Sequence, residues 1–290
     1  GGLADISVSD LGASVVRSLI EKTGLTNDGI DELLMGCVLS AGVGQAPARQ
    51  AALAAGLSLD TSCVTIQKVC GSGMKSVMFG CNSILSGQTK TVIAGGMESM
   101  SRAPYLLPKA RQGYRFGEAV MHDHMQHDGL RDAYQGLAMG EFAENCASRY
   151  GFTREQQDSF AIESLNRANK AIEEGYFAEE ITPVIVVSRN GSVSVDVDEQ
   201  PGRARIDKIP NLRHIGCRWE TLSYMEQWCS RSPASPPPPM SCHEPFPPSS
   251  YPGVAFSLMH LSLANVVWYI PGASSALPEG WRQQPAASLV

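Results

Sequence analysis

Cys70 is the residue with the clearest chemistry to offer. It sits in Val69-Cys70-Gly71-Ser72-Gly73-Met74, after an apolar run typical of a strand and before a helical pattern that opens at Ser72. A thiol at a helix N-terminus lies where backbone N–H groups and the helix dipole favour an anion, so its thiolate is expected to be favoured and the sulfur prepared as a nucleophile. Gly71 and Gly73 present no side chain, which would let a substrate carbonyl reach the same N–H groups as an oxyanion hole. The same local pattern fits an inert buried thiol, and the residues around Cys70 leave both readings open.

A second glycine segment, Ala94-Gly95-Gly96-Met97-Glu98-Ser99-Met100-Ser101-Arg102, ends a strand in a turn that permits close backbone approach. In parallel sheets ligands bind at the carboxyl ends of strands, so Gly95 and Gly96 are candidates for an active-site loop beside Cys70. The segment lacks the Lys-Ser/Thr of a phosphate loop, and a packing turn explains it as well. His122, His124 and His127 invite a metal reading, yet the i, i+2, i+5 spacing aligns three ligands on neither a helix nor a strand; a solvated loop is expected and no metal is assigned. Met97, Met100, Met121, Met125 and Met139 could line an apolar channel, although methionines commonly fill core gaps.

The elements that must hold these residues alternate along the chain. Apolar positions Leu11, Val15 and Leu19 predict an amphipathic helix capped by Asp10 and ended by Gly24. Leu33 to Val38 reads as a strand, Pro47 to Ala55 as a helix, Val64 to Val69 as a strand, Ser72 to Leu85 as a helix and Thr91 to Ala94 as a strand. This alternation predicts an α/β chain with a mostly parallel sheet. From Arg102 the pattern loosens, with helices at Met139 to Tyr150 and Arg154 to Glu174, the latter opened by a Thr153/Gln156 capping box. A hairpin of Ile181 to Ser188 with Ser192 to Asp198 turns on Asn190-Gly191, and Val193, Val195 and Val197 are expected to form one buried face.

Composition bounds the rest. The 290 residues are 43% hydrophobic and 18% charged, with a net charge of −6, so nucleic acid is not an expected partner. The 8 cysteines contain no C-x-x-C pair and are too sparse for a secreted disulfide framework, which favours a reducing compartment. Twelve of the 18 prolines and all 4 tryptophans follow Asn211. Residues 233 to 252 are expected to be disordered or polyproline II. Val254 to Ile270 is apolar but broken by Ser257, His260, Ser262 and Asn265, so a membrane span is not favoured.

Taken in order, the Cys70 segment through Val77, the Ala94 to Tyr105 segment, Met139-Gly140 with Ala143-Glu144-Asn145, Arg154-Glu155-Gln156-Gln157-Asp158 and Val195-Asp196-Val197-Asp198-Glu199 resemble the thiolase family over roughly residues 1 to 213. The nearest subtype is an acetyl-CoA acetyltransferase, with a longer-chain 3-ketoacyl-CoA thiolase beside it. The resemblance implies a thiolase-like N-terminal half: a βαβαβ core lacking its first strand at 1–101, an inserted loop domain at 102–213, and a non-homologous Pro/Trp-rich tail at 214–290 expected to be disordered. It implies that Cys70 takes the acyl group from an acyl-CoA and that acetyl-CoA then condenses with it, reversibly, to a 3-ketoacyl-CoA. Met139 is implied in substrate binding, and Ala138 stands where many members carry His.

Coenzyme A thioesters are thus the expected substrates, with no metal or redox cofactor and no membrane partner, and a homodimer or homotetramer is expected of the intact family. A cytoplasmic site is expected, with a mitochondrial or peroxisomal matrix as the alternatives. The family's Asn-Glu-x-Phe, Gly-His-Pro and Cys-x-Gly motifs do not occur in this sequence. The chain is therefore expected to be incomplete and impaired, the alternative being an inactive binding or dimerisation module derived from the family.

Overall fold

The computed structural model describes residues 1–189 and 191–212, and the backbone of 257–261 and 265–271. Helix α1 (Val8–Thr23) begins three residues earlier than the apolar pattern suggests, because Ser7 is its N-cap and accepts from the Asp10 N–H at 3.1 Å. Asp10 instead supplies first-turn negative charge, and its carboxylate accepts from the Ser7 hydroxyl at 2.6 Å. Gly24 closes the helix at φ 67° with its N–H on the Ile20 carbonyl, as the sequence predicts.

Strand β1 (Glu32–Gly36), helix α2 (Pro47–Ala55), strand β2 (Ser62–Ile66), helix α3 (Ser72–Leu85) and strand β3 (Thr91–Gly96) follow in alternation. β1 pairs in parallel with both β2 and β3, from Glu32 opposite Ser62 and Val92 to Gly36 opposite Ile66 and Gly96. The pleat sends Leu33, Met35 and Ile93 into a core shared with α1 and α2. Leu34, Val92 and Ala94 go to the other face, where Val77 and Ile84 of α3 pack with Ile66. A strand buried on both faces reads as an unbroken apolar run, which is why β1 and β3 were legible in sequence. β2 ends at Ile66 rather than Val69, because residues 67 to 71 form the turn that carries Cys70.

After β3 come a 3₁₀ turn at Met100–Arg102, a short ladder of β4 (Tyr105–Leu106) with β5 (His122–Asp123), and a π-turn at Met125–Leu130. Helices α4 (Met139–Tyr150) and α5 (Arg154–Glu173) lie where the sequence places them, and Thr153 and Gln156 form the expected capping box. The hairpin is shorter than expected, pairing β6 (Val184–Ser188) with β7 (Gly191–Val195); Asn190 at its turn lies outside the described residues. Its expected buried face is a correction. Val193 and Val197 are exposed and Val195 half-buried, and it is Val184 that enters the main core. Alternation marks one face of a strand without saying that anything covers it.

Helix α6 (Glu199–Arg203) and a 3₁₀ turn at Ile206–Asn211 complete this part, held by Arg154, which donates to the Ile209 and Leu212 carbonyls and pairs with Asp158. The tail departs from its expected disorder at two places. β8 (Ser257–Leu261) and β9 (Asn265–Pro271) extend the main sheet, whose order is β2-β1-β3-β9-β8, with β9 antiparallel to β3. They divide the apolar run between two strands, and no helix among the described residues is long and apolar enough to cross a membrane. The proline-rich stretch 233 to 252 lies outside the described residues.

Candidate active site

The carboxyl ends of β1, β2 and β3 meet the N-terminus of α3, and Cys70 is exposed there. The turn that presents it is strained: Val69 has φ 47°, a left-handed conformation that a β-branched residue rarely adopts and that costs on the order of 1–3 kcal/mol. Local hydrogen bonds hold the strain. Val69 N–H donates to the Gln67 side chain at 3.3 Å, the Val69 carbonyl accepts from both the N–H and the hydroxyl of Ser72, and the Ser72 hydroxyl accepts from Lys68 N–H at 2.8 Å. Gly71 is the N-cap of the 14-residue α3, so Cys70 stands immediately before a helix long enough to carry an effective dipole.

The candidate glycines are together, and they make close backbone contacts. Gly71 N–H is spent on the Lys68 carbonyl at 3.1 Å, and Ser72 N–H on Val69. Gly73 faces Gly96: a Cβ on Gly73 would lie 3.4 Å from Gly96 N, and one on Gly96 would lie 3.2 Å from Gly73 Cα. Gly95 is inside β3, and its carbonyl accepts from the buried Ser76 hydroxyl at 2.6 Å. These glycines seat α3 on the strand ends, and Gly36, which sequence reasoning passed over, is the tightest contact. A Cβ there would fall 2.5 Å from the Ser72 carbonyl carbon and 2.6 Å from Gly73 N. Met139 opens α4, half-buried, and is no part of these contacts.

Burial separates Cys70 from other thiols. It pushes Cys37 up to about 12, helped by the Glu98 carboxylate beside it, and it raises Cys63 and Cys81 as well. A shallow cleft of about 340 Å³ lies among Met100, Ser101, Ala103, Tyr105, Asp123 and Met125. Two of the five candidate channel methionines therefore line it; Met97 is core and Met121 is exposed on the surface.

The sequence and fold that carry this turn have counterparts among known proteins. The family described as "Thiolase, N-terminal domain" matches residues 1–215. The chain belongs to the thiolase family. It is 46% identical over 214 residues to a probable acetyl-CoA acetyltransferase of Dictyostelium discoideum, covering 73% of this chain and 52% of that one. An acetyl-CoA acetyltransferase of Pseudomonas aeruginosa is 50% identical over 202 residues, covering 69% and 51%. Among solved structures, the Acat5 thiolase from Ascaris suum in complex with coenzyme A superposes with a TM-score of 0.67 at 39% identity, covering 73% of this chain and 53% of that one. The chain thus spans about half the length of the relatives it matches.

Two further residues of this thiolase-family chain brace the site from outside the glycine cluster. Glu98 follows β3 and accepts from Val38 N–H at 2.8 Å, from Leu39 N–H at 3.2 Å and from the Cys37 thiol at 3.8 Å, so it fixes the chain as it leaves β1. His124 is buried, not in a solvated loop: Nε2 accepts from Ala41 N–H at 3.3 Å while Nδ1 bonds Asp128. That assigns the neutral ring its proton on Nδ1 and clasps the loop after β1 to the π-turn. No group of three or more His, Cys, Asp or Glu side chains suited to a metal occurs among the described residues. An acid directly after a buried apolar strand was the available signal for Glu98; for His124 there was none, because its acceptor role depends on a backbone 83 residues away.

Proposed function

We propose that this chain carries the acyl-accepting step of a thiolase-type acyltransferase, with Cys70 as the nucleophile and a coenzyme A thioester as the acyl donor. The observation that carries it is the exposed Cys70 thiol on its strained turn before α3, where Cys37, Cys63 and Cys81 are held as neutral thiols by burial. The names of the relatives and the coenzyme A bound to the Ascaris suum thiolase support the substrate class. The Cys70 thiolate attacks the thioester carbonyl, the carbon–sulfur bond to coenzyme A breaks, and coenzyme A leaves as a thiolate that takes up a proton. In the full reaction a second acetyl-CoA loses an α-proton to a base, and its carbanion attacks the Cys70 thioester. A carbon–carbon bond forms, the 3-ketoacyl-CoA departs and the thiolate returns. No metal or redox group enters any of these steps.

The test is intact-mass and peptide-mass analysis after incubation with acetyl-CoA or acetoacetyl-CoA. One acetyl group on Cys70, absent from Cys70→Ala, is the expected result. Coenzyme A binding with no acyl group on any cysteine would overturn the proposal and leave a binding module in its place.

A further inference from the structure

β3 is deeply buried, with Val92, Ile93 and Ala94 wholly inaccessible. Its inner edge is satisfied by β1. Its outer edge carries the N–H and C=O groups of Thr-Val-Ile-Ala-Gly that β1 does not pair, a β-prone stretch with no charge and no proline, which left open would be a template for pairing with another chain. What covers it comes from outside the family match. The match ends at residue 215, whereas β9 lies at 265–271 and pairs antiparallel with β3 from Thr91 opposite Pro271 to Gly95 opposite Val267.

The sequence of β9, Asn-Val-Val-Trp-Tyr-Ile-Pro, is rich in β-branched and aromatic residues, and its one proline sits at the strand end where a missing N–H disrupts the ladder least. β8 pairs along the far side of β9 from Ser257 opposite Tyr269 to Leu261 opposite Asn265, so the hairpin arrives with its own second strand.

We propose that the outer edge of β3 is a strand-acceptor site, that residues 265–271 of the same chain occupy it, and that this occupancy prevents pairing with a second copy through β3. The role belongs to a segment the family match does not reach, and it is independent of Cys70 chemistry.

The test uses the full chain. Val267→Pro and Tyr269→Pro each remove one β9 N–H and break the ladder, and hydrogen exchange is followed in peptides covering β3 and, as a check on the fold, α1. Exchange in β3 should quicken by about tenfold or more with α1 protection kept, and light scattering should show self-association. A synthetic peptide of residues 257–271 added in trans should reverse both effects. Unchanged β3 exchange in both variants would overturn the proposal. As a check that requires no disruption of the ladder, a Thr91→Cys/Pro271→Cys chain should form an intrachain disulfide on mild oxidation, mapped by mass spectrometry. A disulfide between chains would assign the edge to a second copy, and failure of the two to link would mean that the register does not hold; either result refutes the assignment.

Discussion

Gly36→Ala should damage the site without touching any reactive atom. An ideal Cβ at Gly36 lies 2.5 Å from the Ser72 carbonyl carbon, 2.6 Å from Gly73 N and 2.7 Å from Ser72 Cβ, so the obstacle is mostly backbone and cannot rotate aside. Restoring ordinary contact requires the first turn of α3 to withdraw by about 1 Å. That withdrawal is resisted by Met97 N–H on the Gly36 carbonyl at 2.9 Å, the Ser76 hydroxyl on the Gly95 carbonyl at 2.6 Å and Lys68 N–H on the Ser72 hydroxyl at 2.8 Å. Overpacking of this kind costs about 1–3 kcal/mol, which in a domain of this size lowers the melting temperature by roughly 2–4 °C per kcal/mol. Cys70 is tied to the displaced turn through Gly71 and Ser72, so acyl transfer from acetyl-CoA should fall by roughly a hundredfold. Alkylation by iodoacetamide, which demands no bound geometry, should change far less. Gly73→Ala, whose Cβ would meet Gly96 N at 3.4 Å, should be milder on both counts. A Gly36→Ala chain that melts within about 1 °C of wild type and acylates at the wild-type rate would refute the reasoning.

Iodoacetamide should label Cys70 well ahead of Cys37 across the neutral range, because burial and Glu98 hold the Cys37 thiol near 12; peptide mapping at short times reads this directly. Glu98→Gln should cost about 1–3 kcal/mol in a denaturant titration, since the Val38 and Leu39 N–H groups lose a charged acceptor. Burial, with Glu179 adding to it against Lys22, raises the Glu180 carboxyl above 4.5, and its Oε2 has no hydrogen-bond partner. A raised carboxyl makes the folded state bind the extra proton, so stability declines as pH climbs above about 4.5. Glu180→Gln should therefore raise the melting temperature slightly at pH 7 and not at pH 4. Asp128 is the opposite case, held below 3.8 chiefly by the His127 hydrogen bond and then by His124. Its contribution is present above about pH 4 and lost as pH falls through the depressed value, so Asp128→Asn should destabilise at pH 7 and match wild type in acid.

Helix and strand identities were legible wherever burial is dictated locally. β1 and β3, apolar on both faces, and α1, with one apolar stripe, needed no knowledge of their neighbours, and Pro47 and Ser72 mark helix starts that the structure keeps. Boundaries were weaker. Asp10 was read as the cap because it is a good N-cap type, yet Ser7 is equally good and lies one turn nearer the chain start. The Val193, Val195, Val197 face failed for a different reason: a repeat of two fixes which residues share a face, and only the rest of the molecule decides whether that face is covered.

The candidate site divides along the same line. The placement of Cys70 was legible because it depends on a few adjacent residues: a strand, a short turn and a helix N-terminus. The glycines were located but their backbone contacts were not legible, since a missing side chain looks the same from sequence whether it makes room for a substrate or for a backbone. The backbone contacts join Gly36 to Ser72 and Gly73, and Gly73 to Gly96, across three elements. A small residue read as an opening for ligand needs a free N–H behind it; here Gly71 N–H and Ser72 N–H are already bonded within the turn. An oxyanion donor for the proposed acyl step must then be sought among groups other than these two. The same bonds that remove them from that role hold Val69 in its strained conformation and keep the thiol exposed. In this turn, backbone hydrogen bonding serves the presentation of the thiol proposed as the nucleophile.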